Sequence, residues 1–263
     1  MIDYHIHTKL CGHAQGEMEE YVEKAIELNL QEIGFSDHLP LLHIKNPTLS
    51  MSEKELPLYV KKVHYLQKKY TQIKIKLGIE VDFIPEKKDE IQKLINQYDF
   101  DYVYGSVHFV KDFMIDHPDH ANRFKTENIL NIYQNYFHTI QEAAKSHLFD
   151  IIAHIDVIKK FNYRPCEDIT KLLEETIHIL KKNNIIIEMN TSGLRKPCQE
   201  IYPDFNLLKI CQEKKVNITL GSDAHKKEEV GFAFDEAINL LKKAGYKKLA
   251  TFEKRKIKLI SLK

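Results

Sequence analysis

The chain has 263 residues, 43% of them hydrophobic and 29% charged, with few Gly and Pro, a composition that excludes a disordered or low-complexity chain. Lys and Arg number 39 against 38 Asp and Glu, a net charge of +1, so no global field draws the protein to nucleic acid or to an anionic membrane. No apolar leader and no run of about 18 apolar residues is present, so a cytoplasmic protein with one domain over residues 1–263 is expected.

In chain order, short β-branched or aromatic runs alternate with longer stretches of helical period, the pattern of repeated βα units around a mainly parallel sheet. Strand 2–6 (IDYHI) precedes helix 17–29, and strand 32–35 precedes helix 53–70, where Ser52 and Glu55 read as a capping box. Strand 73–81 leads to helix 87–97, and strand 102–107 to helix 126–147. Strand 151–153 leads to helix 168–183, whose Ile169, Leu172, Leu173, Thr176, Ile177 and Leu180 form one apolar face. Strand 185–189 with helix 205–214, and strand 218–220 with helix 230–244 ending near Gly245, complete the series. Seven units predict an α/β fold, a closed (β/α)7 barrel one unit short of the common eight, with an open doubly wound sheet as the alternative. The tail after Gly245 reads as a late strand or an edge cover, and loops 39–51, 109–125 and 190–204 should surround the site.

Nearly every predicted strand ends on a metal-type donor. His5 and His7 stand at i, i+2 on the first, with His13 in its loop; Asp37 and His38 follow the second, and Glu80 lies on the third. His108 follows the fourth strand, His154 and Asp156 the fifth, Glu188 and Asn190 the sixth, and Asp223 and His225 the seventh. Each alone has an ordinary structural reading, but their recurrence at one end of a barrel points to a multinuclear centre for zinc, iron or manganese. The histidines inside predicted helices, His64, His138, His147 and His178, read as solvated or packing residues. Cys11, Cys166, Cys198 and Cys211 are widely spaced without a C-x-x-C pair, and read as reduced thiols.

In order, the segments DYHIHT, FSDH, GIEVDF, GSVHF, AHID, NTSGLR and LGSDAH resemble the motifs of the polymerase and histidinol phosphatase (PHP) superfamily of metal-dependent phosphoesterases, most closely its stand-alone histidinol-phosphate phosphatases. The resemblance implies a distorted seven-stranded (β/α) barrel with three divalent metal ions at the C-terminal ends of the strands. One ion would take His5, His7, Glu80 and Asp223, a second would share Glu80 and add His108 and His154, and a third would take His13, His38 and His225. The activity implied is hydrolysis of L-histidinol phosphate, a small phosphate monoester, by attack of a metal-bridging hydroxide on phosphorus. Another phosphorylated substrate (a nucleotide, an oligonucleotide or phosphotyrosine) is the first alternative, and a non-catalytic metal-binding module the second.

The leaving alkoxide needs a proton, for which Asp223 is the first candidate and His225 the second. Arg195, Lys160 and Arg164 are candidate cations for the phosphate, with Lys196 beside Arg195. Phe113, Asp116 and His117 in loop 109–125 are candidates for the imidazole and ammonium of the substrate.

Overall fold

In the computed structural model, which describes residues 1–262, seven parallel strands form one sheet that curls almost into a barrel. The elements in chain order are β1 (Ile2–Ile6), α1 (Met18–Glu27), β2 (Glu32–Phe35), α2 (Leu56–Lys69), β3 (Lys74–Asp82), α3 (Lys88–Ile95) and β4 (Tyr102–Ser106). A small hairpin, β5 (Phe109–Val110) and β6 (Phe113–Met114), precedes α4 (Arg123–Thr126) and α5 (Ile129–Lys145). There follow β7 (Ile151–Ile152), α6 (Thr170–Lys182), β8 (Ile186–Asn190), α7 (Phe205–Glu213), β9 (Ile218–Gly221), α8 (Phe234–Ala244), β10 (Lys248–Glu253) and β11 (Lys256–Ser261).

The sheet runs β1-β2-β3-β4-β7-β8-β9, and the segment after β9 returns to β1: the His7 N–H donates to the Ala224 carbonyl (2.9 Å) and the Ala224 N–H to that of His5 (3.1 Å). This closure selects the barrel over the open sheet. It also brings the last βα loop beside the first, so residues more than two hundred positions apart share one mouth.

The barrel interior is packed with rings. Tyr4 stacks on Tyr102 with ring centroids 4.9 Å apart, and the Tyr102 hydroxyl donates to the Tyr4 carbonyl at 2.7 Å. Gly34 and Gly78 make room for this ring; a Cβ at either would come within 2.3 Å of Tyr102. The β1–β2 register shifts between Asp3 and Ile6, an irregularity that lets both Tyr4 and His5 meet ring faces from β4.

Three helix boundaries differ from the expected ones. The helix expected over 126–147 is split, because Glu127 turns the chain and the Asn128 side chain caps α5 by accepting from the Asn131 N–H. The helix expected from 230 starts at Phe234, since Gly231 and Ala233 both adopt positive φ. Before α2, Ser52 N–H and hydroxyl both donate to the Glu55 carboxylate, an arrangement that shapes the turn ahead of a helix beginning at Leu56.

The tail closes the opposite mouth as an antiparallel β10–β11 hairpin. Asp101 and Asp150, which immediately precede β4 and β7, accept hydrogen bonds from its Lys254 backbone and Arg255 guanidinium. Among the described residues no helix is long and apolar enough to cross a membrane.

Candidate metal centre

Glu80 lies almost fully buried at the C-terminal end of β3, and its two oxygens face two different sets of imidazoles. Oε2 is 3.3 Å from His5 Nε2, 3.5 Å from His7 Nε2 and 3.2 Å from His38 Nδ1. Oε1 is 3.1 Å from His154 Nε2 and 3.8 Å from His108 Nε2. Asp223 joins the first set, with Oδ1 3.2 Å from His7 Nε2 and 3.9 Å from His5 Nε2. His13 and His225 extend the cluster outward, with the His225 ring stacked 4.1 Å from His7 and 4.8 Å from His13.

The groups behind these rings indicate how each is oriented. His5 Nδ1 lies 2.7 Å from Glu188 Oε1 and His108 Nδ1 3.0 Å from Asp82 Oδ1. His13 Nδ1 lies 3.0 Å from the carbonyls of Cys11 and Thr48, and His225 Nδ1 3.1 Å from the Asp223 carbonyl. An oxygen at Nδ1 favours the Nδ1–H tautomer and leaves the Nε2 lone pair free, as metal-binding histidines require. His108 Nε2 and His154 Nε2 face each other at 3.3 Å. A proton or a cation between the two nitrogens would relieve this close approach. The donor set therefore fits divalent ions, with Glu80 presenting one oxygen to each of the two imidazole sets.

The electrostatics agree. Burial would raise the carboxyl pKa of Glu80, but the surrounding imidazoles, His38 and His5 foremost, hold it well below the carboxylate range. Asp223 is held down similarly, against burial, by His5, His7 and His225. Burial opposes the charged form of His5, yet Glu188 and Asp223 push its pKa well up. Burial instead drives His38 and His225 well below their ordinary value, although Glu80 and Asp223 respectively pull the other way. The centre thus calls for positive charge beside its carboxylates, which bound cations would supply without protonating the ligands.

Backbone geometry is specialised at two of these positions. His154 (φ 20°) and Asp223 (φ 54°) lie at positive φ, costly for non-glycine residues and sustained by local bonds. The His154 N–H donates to Glu188 Oε2 at 2.9 Å, while the Asp223 carbonyl accepts from Arg195 Nη2 at 3.1 Å. Gly221 must stay small here, since a Cβ would fall 2.2 Å from Glu188 Oε1 and 2.6 Å from the His5 Cβ.

The PHP domain family matches residues 3–192. The chain belongs to the PHP family. It is 32% identical to a probable histidinol-phosphatase of Deinococcus radiodurans, with 98% of each chain covered. It is 30% identical to the histidinol-phosphatase of Bacillus subtilis over 89% of this chain and 96% of that protein. Among solved structures, the histidinol phosphate phosphatase of Lactococcus lactis, complexed with zinc, L-histidinol and phosphate, superposes with a TM-score of 0.80 at 25% identity, covering 98% of both chains.

Above the PHP centre opens a cavity of about 430 Å³, walled by all three long loops. Leu41, Thr48 and Leu49 come from the first, Phe109, Met114, Asp116 and His117 from the second, and Ser192, Arg195, Lys196 and Tyr202 from the third. Arg195 is anchored by Nη2 to the Ser222 carbonyl (2.9 Å) and by Nε to Glu229 (3.4 Å), while its buried Nη1 finds no hydrogen-bond partner among the described residues. Lys160 also reaches the cavity but is already paired, donating to the Asp116 carbonyl (2.7 Å) and carboxylate (3.1 Å). Burial opposes ionisation of Asp116, yet Lys160 holds its pKa well below the usual range. Phe113 is buried on β6 and does not line the cavity; it packs at a tilt against Phe124 instead, with ring centroids 5.0 Å apart.

Arg164 departs from the expectation for it. Asn162 adopts a φ of 63° after the turn Val157–Lys159, and beyond it Arg164 pairs with Glu200 at 2.8 Å in an outer groove, away from the cavity. Lys159 turns inward instead, its ammonium donating to Asp156 (2.6 Å) and to the Ile201 carbonyl (3.0 Å). His64, His138, His147 and His178 are all exposed, and His147 stands just beyond the end of α5. Asp82, Cys11 and Glu229 lie beside the centre without having been singled out as site residues, and Glu188, read as a strand-end donor, stands behind His5. For Asp82 a signal existed: it stands at i+2 from Glu80 on one strand face.

Proposed function

We propose that this PHP chain is a histidinol-phosphatase acting in histidine biosynthesis in the cytoplasm, and that it hydrolyses L-histidinol phosphate to L-histidinol and inorganic phosphate. The observation that carries the reading is the buried Glu80 carboxylate, which presents its two oxygens to two imidazole sets on the floor of a cavity walled by cations. The near full-length likeness to histidinol-phosphatases supports the choice of substrate. In this reading three divalent ions, zinc, iron or manganese, would be held by His5, His7, Glu80 and Asp223, by Glu80, His108 and His154, and by His13, His38 and His225. Such ions lower the pKa of water into the neutral range and neutralise phosphoryl oxygens.

The residues of the chain supply the rest. Arg195, fixed by Glu229 and two carbonyls, offers its unpaired Nη1 to a phosphate oxygen, and Lys196 adds charge from the same turn. Asp223 accepts from the Ser192 hydroxyl at 3.0 Å. Held ionised, it can take a proton as water attacks and return it to the leaving alkoxide, with His225 as the second candidate. Asp116 and His117, which line the same cavity from loop 109–125, are the acceptors for the ammonium and imidazole of the substrate.

The reading is tested by phosphate release from L-histidinol phosphate, a nucleoside bisphosphate and phosphotyrosine under metal-replete conditions. The expected result is a kcat/KM at least about a hundredfold higher for L-histidinol phosphate, the scale of discrimination a site gains by pairing its buried polar groups with the right substrate. Preference for either other compound overturns the substrate assignment.

A further inference from the structure

We propose that Cys11 supplies a sulfur ligand to the outer ion, beside His13 and His225, making that position a mixed thiolate–imidazole site. The inference rests on the metal-dependent reading above but concerns a residue outside the nine-ligand set.

Cys11 is fully buried although it lies in a surface loop. The turn Lys9–Cys11 is capped by Thr8, whose side chain accepts from the Leu10 N–H and whose hydroxyl donates to the buried Asp37. Gly12 then adopts φ 83°, and a Cβ there would meet the Pro47 carbonyl oxygen at 2.0 Å, so the chain doubles back tightly. The reversal sets Cys11 and His13 on one point: the Cys11 sulfur and one ring nitrogen each of His13 and His225 lie within 4.8 Å of one another. Ligands on a tetrahedral zinc, with bonds of about 2.0–2.3 Å, stand roughly 3.3–3.7 Å apart, so small rotations close the set. A second observation points the same way. The Cys11 sulfur also belongs to a second group, within 4.8 Å of a His7 ring nitrogen and an Asp37 oxygen, in which the buried His7 Nδ1 makes no hydrogen bond among the described residues and stands 3.4 Å from Asp37 Oδ1.

Charge explains why sulfur belongs there. Imidazoles bind metal as neutral donors, and the two carboxylates nearest this set, Glu80 Oε2 at 3.2 Å from His38 and Asp223 Oδ1 at 3.5 Å from His225, both also face His5 and His7. Three imidazoles leave both charges of a divalent ion uncompensated. On metal binding the Cys11 S–H bond breaks, the proton passes to solvent, and a sulfur lone pair forms the metal bond, which supplies one negative charge. Thiolate is a soft ligand, so this position would favour zinc over manganese. The other cysteines are placed differently: Cys166 is exposed, Cys198 sits against the Gly193 carbonyl and the Tyr202 hydroxyl, and Cys211 is buried on α7.

The test is cobalt(II) loading of the metal-stripped full-length protein, read by absorption. The parent protein and C166S should show an intense near-ultraviolet thiolate-to-cobalt band, and C11S should lose it together with about one equivalent of bound metal while keeping its circular dichroism. If C11S does not fold, X-ray absorption of the zinc-loaded parent decides, with a sulfur scatterer near 2.3 Å expected. Bound cobalt or zinc with no sulfur signature, or a band unchanged in C11S, overturns the Cys11 assignment and leaves the phosphatase reading standing. Failure to bind any metal overturns both.

Discussion

At the mouth of the barrel where the strands begin, the half-buried charges Asp101, Asp150 and Arg255 all meet partners; at the mouth where they end, like groups are crowded and several lack partners among the described residues. Asp150 accepts from the Arg255 side chain (2.8 Å) and the Val103 backbone (2.9 Å), and Asp101 accepts from the backbones of Leu77 and Lys254. The Arg255 guanidinium also donates to the Leu148 carbonyl at 2.6 Å. Across the molecule, His154 Nδ1 and Arg195 Nη1 are buried without hydrogen-bond partners among the described residues, and His7 Nδ1 has only a 3.4 Å approach to Asp37 Oδ1. A buried unsatisfied group costs about 1–3 kcal/mol, so the first mouth contributes stability while the second spends some of it on pre-arranged donors. Changes at one end should therefore separate from changes at the other.

The largest effect is expected at Glu80. Glu80→Gln keeps the shape of the side chain but removes the charge that both imidazole sets face. Turnover should fall by at least about 10³-fold, more than the loss of one charge-stabilising donor costs. Metal analysis should show depleted ions while the fold, by circular dichroism, is unchanged; retention of more than a tenth of the activity would remove Glu80 from the centre.

One layer out, Glu188→Gln tests orientation. Glu188 touches His5 Nδ1 and receives the His154 N–H, so one carboxylate steadies a ring from each set. A loss of about 10–100-fold in metal affinity or activity is expected, the usual effect of changing a group behind a ligand. A metal titration identical to that of the parent would show that the two rings hold their positions without it.

The opposite mouth should respond in stability and not in chemistry. Arg255→Ala leaves Asp150 buried without its cation and should cost about 2 kcal/mol, a fall in Tm of roughly 4–8 °C, with kcat per folded molecule unchanged. The pH dependence has a definite sign. Burial raises the carboxyl pKa of Asp150 above its ordinary 3.8 and Arg255 pulls it back, so in the variant the folded-state value rises further. A folded state that holds the proton more tightly than the unfolded chain gains stability as pH falls towards 4. The deficit of the variant should accordingly be greatest at neutral pH and shrink on acidification. A constant deficit across that range would mean the loss comes from packing alone.

The same contrast explains how much was legible in the sequence. All seven sheet strands were readable because a β-branched run has to end where a donor is needed, so GIEVDF or ITLGSDAH carries both signals within a few residues. The small β5–β6 hairpin was not, since FVKDFM has neither an alternating run nor a Gly turn; it forms where Lys111 adopts positive φ. Glu188 looked like one more strand-end carboxylate, and only the fold shows that it stands behind His5. Cys11 was judged by its distance from other cysteines, whereas its neighbours are histidines brought together by closure of the barrel.

The smallest effect is expected at Arg164, where sequence position and spatial position diverge. It follows the same strand as His154, and proximity in the chain suggested a phosphate contact. In the folded protein its side chain is 40% exposed and pairs with that of Glu200, itself 40% exposed. A pair so solvated contributes at most about 1 kcal/mol. Arg164→Ala should shift KM and kcat for the phosphate monoester by less than about twofold and Tm by a few degrees at most. Arg195→Ala, by contrast, takes away an anchored cation whose Nη1 is free for an anion and should raise KM at least about tenfold, the scale of one charge-assisted hydrogen bond. If Arg164→Ala instead weakened substrate binding as much as Arg195→Ala, loop 157–164 would have to swing inward on binding, and the division between an active mouth and an inert outer wall would fail on that side of the barrel.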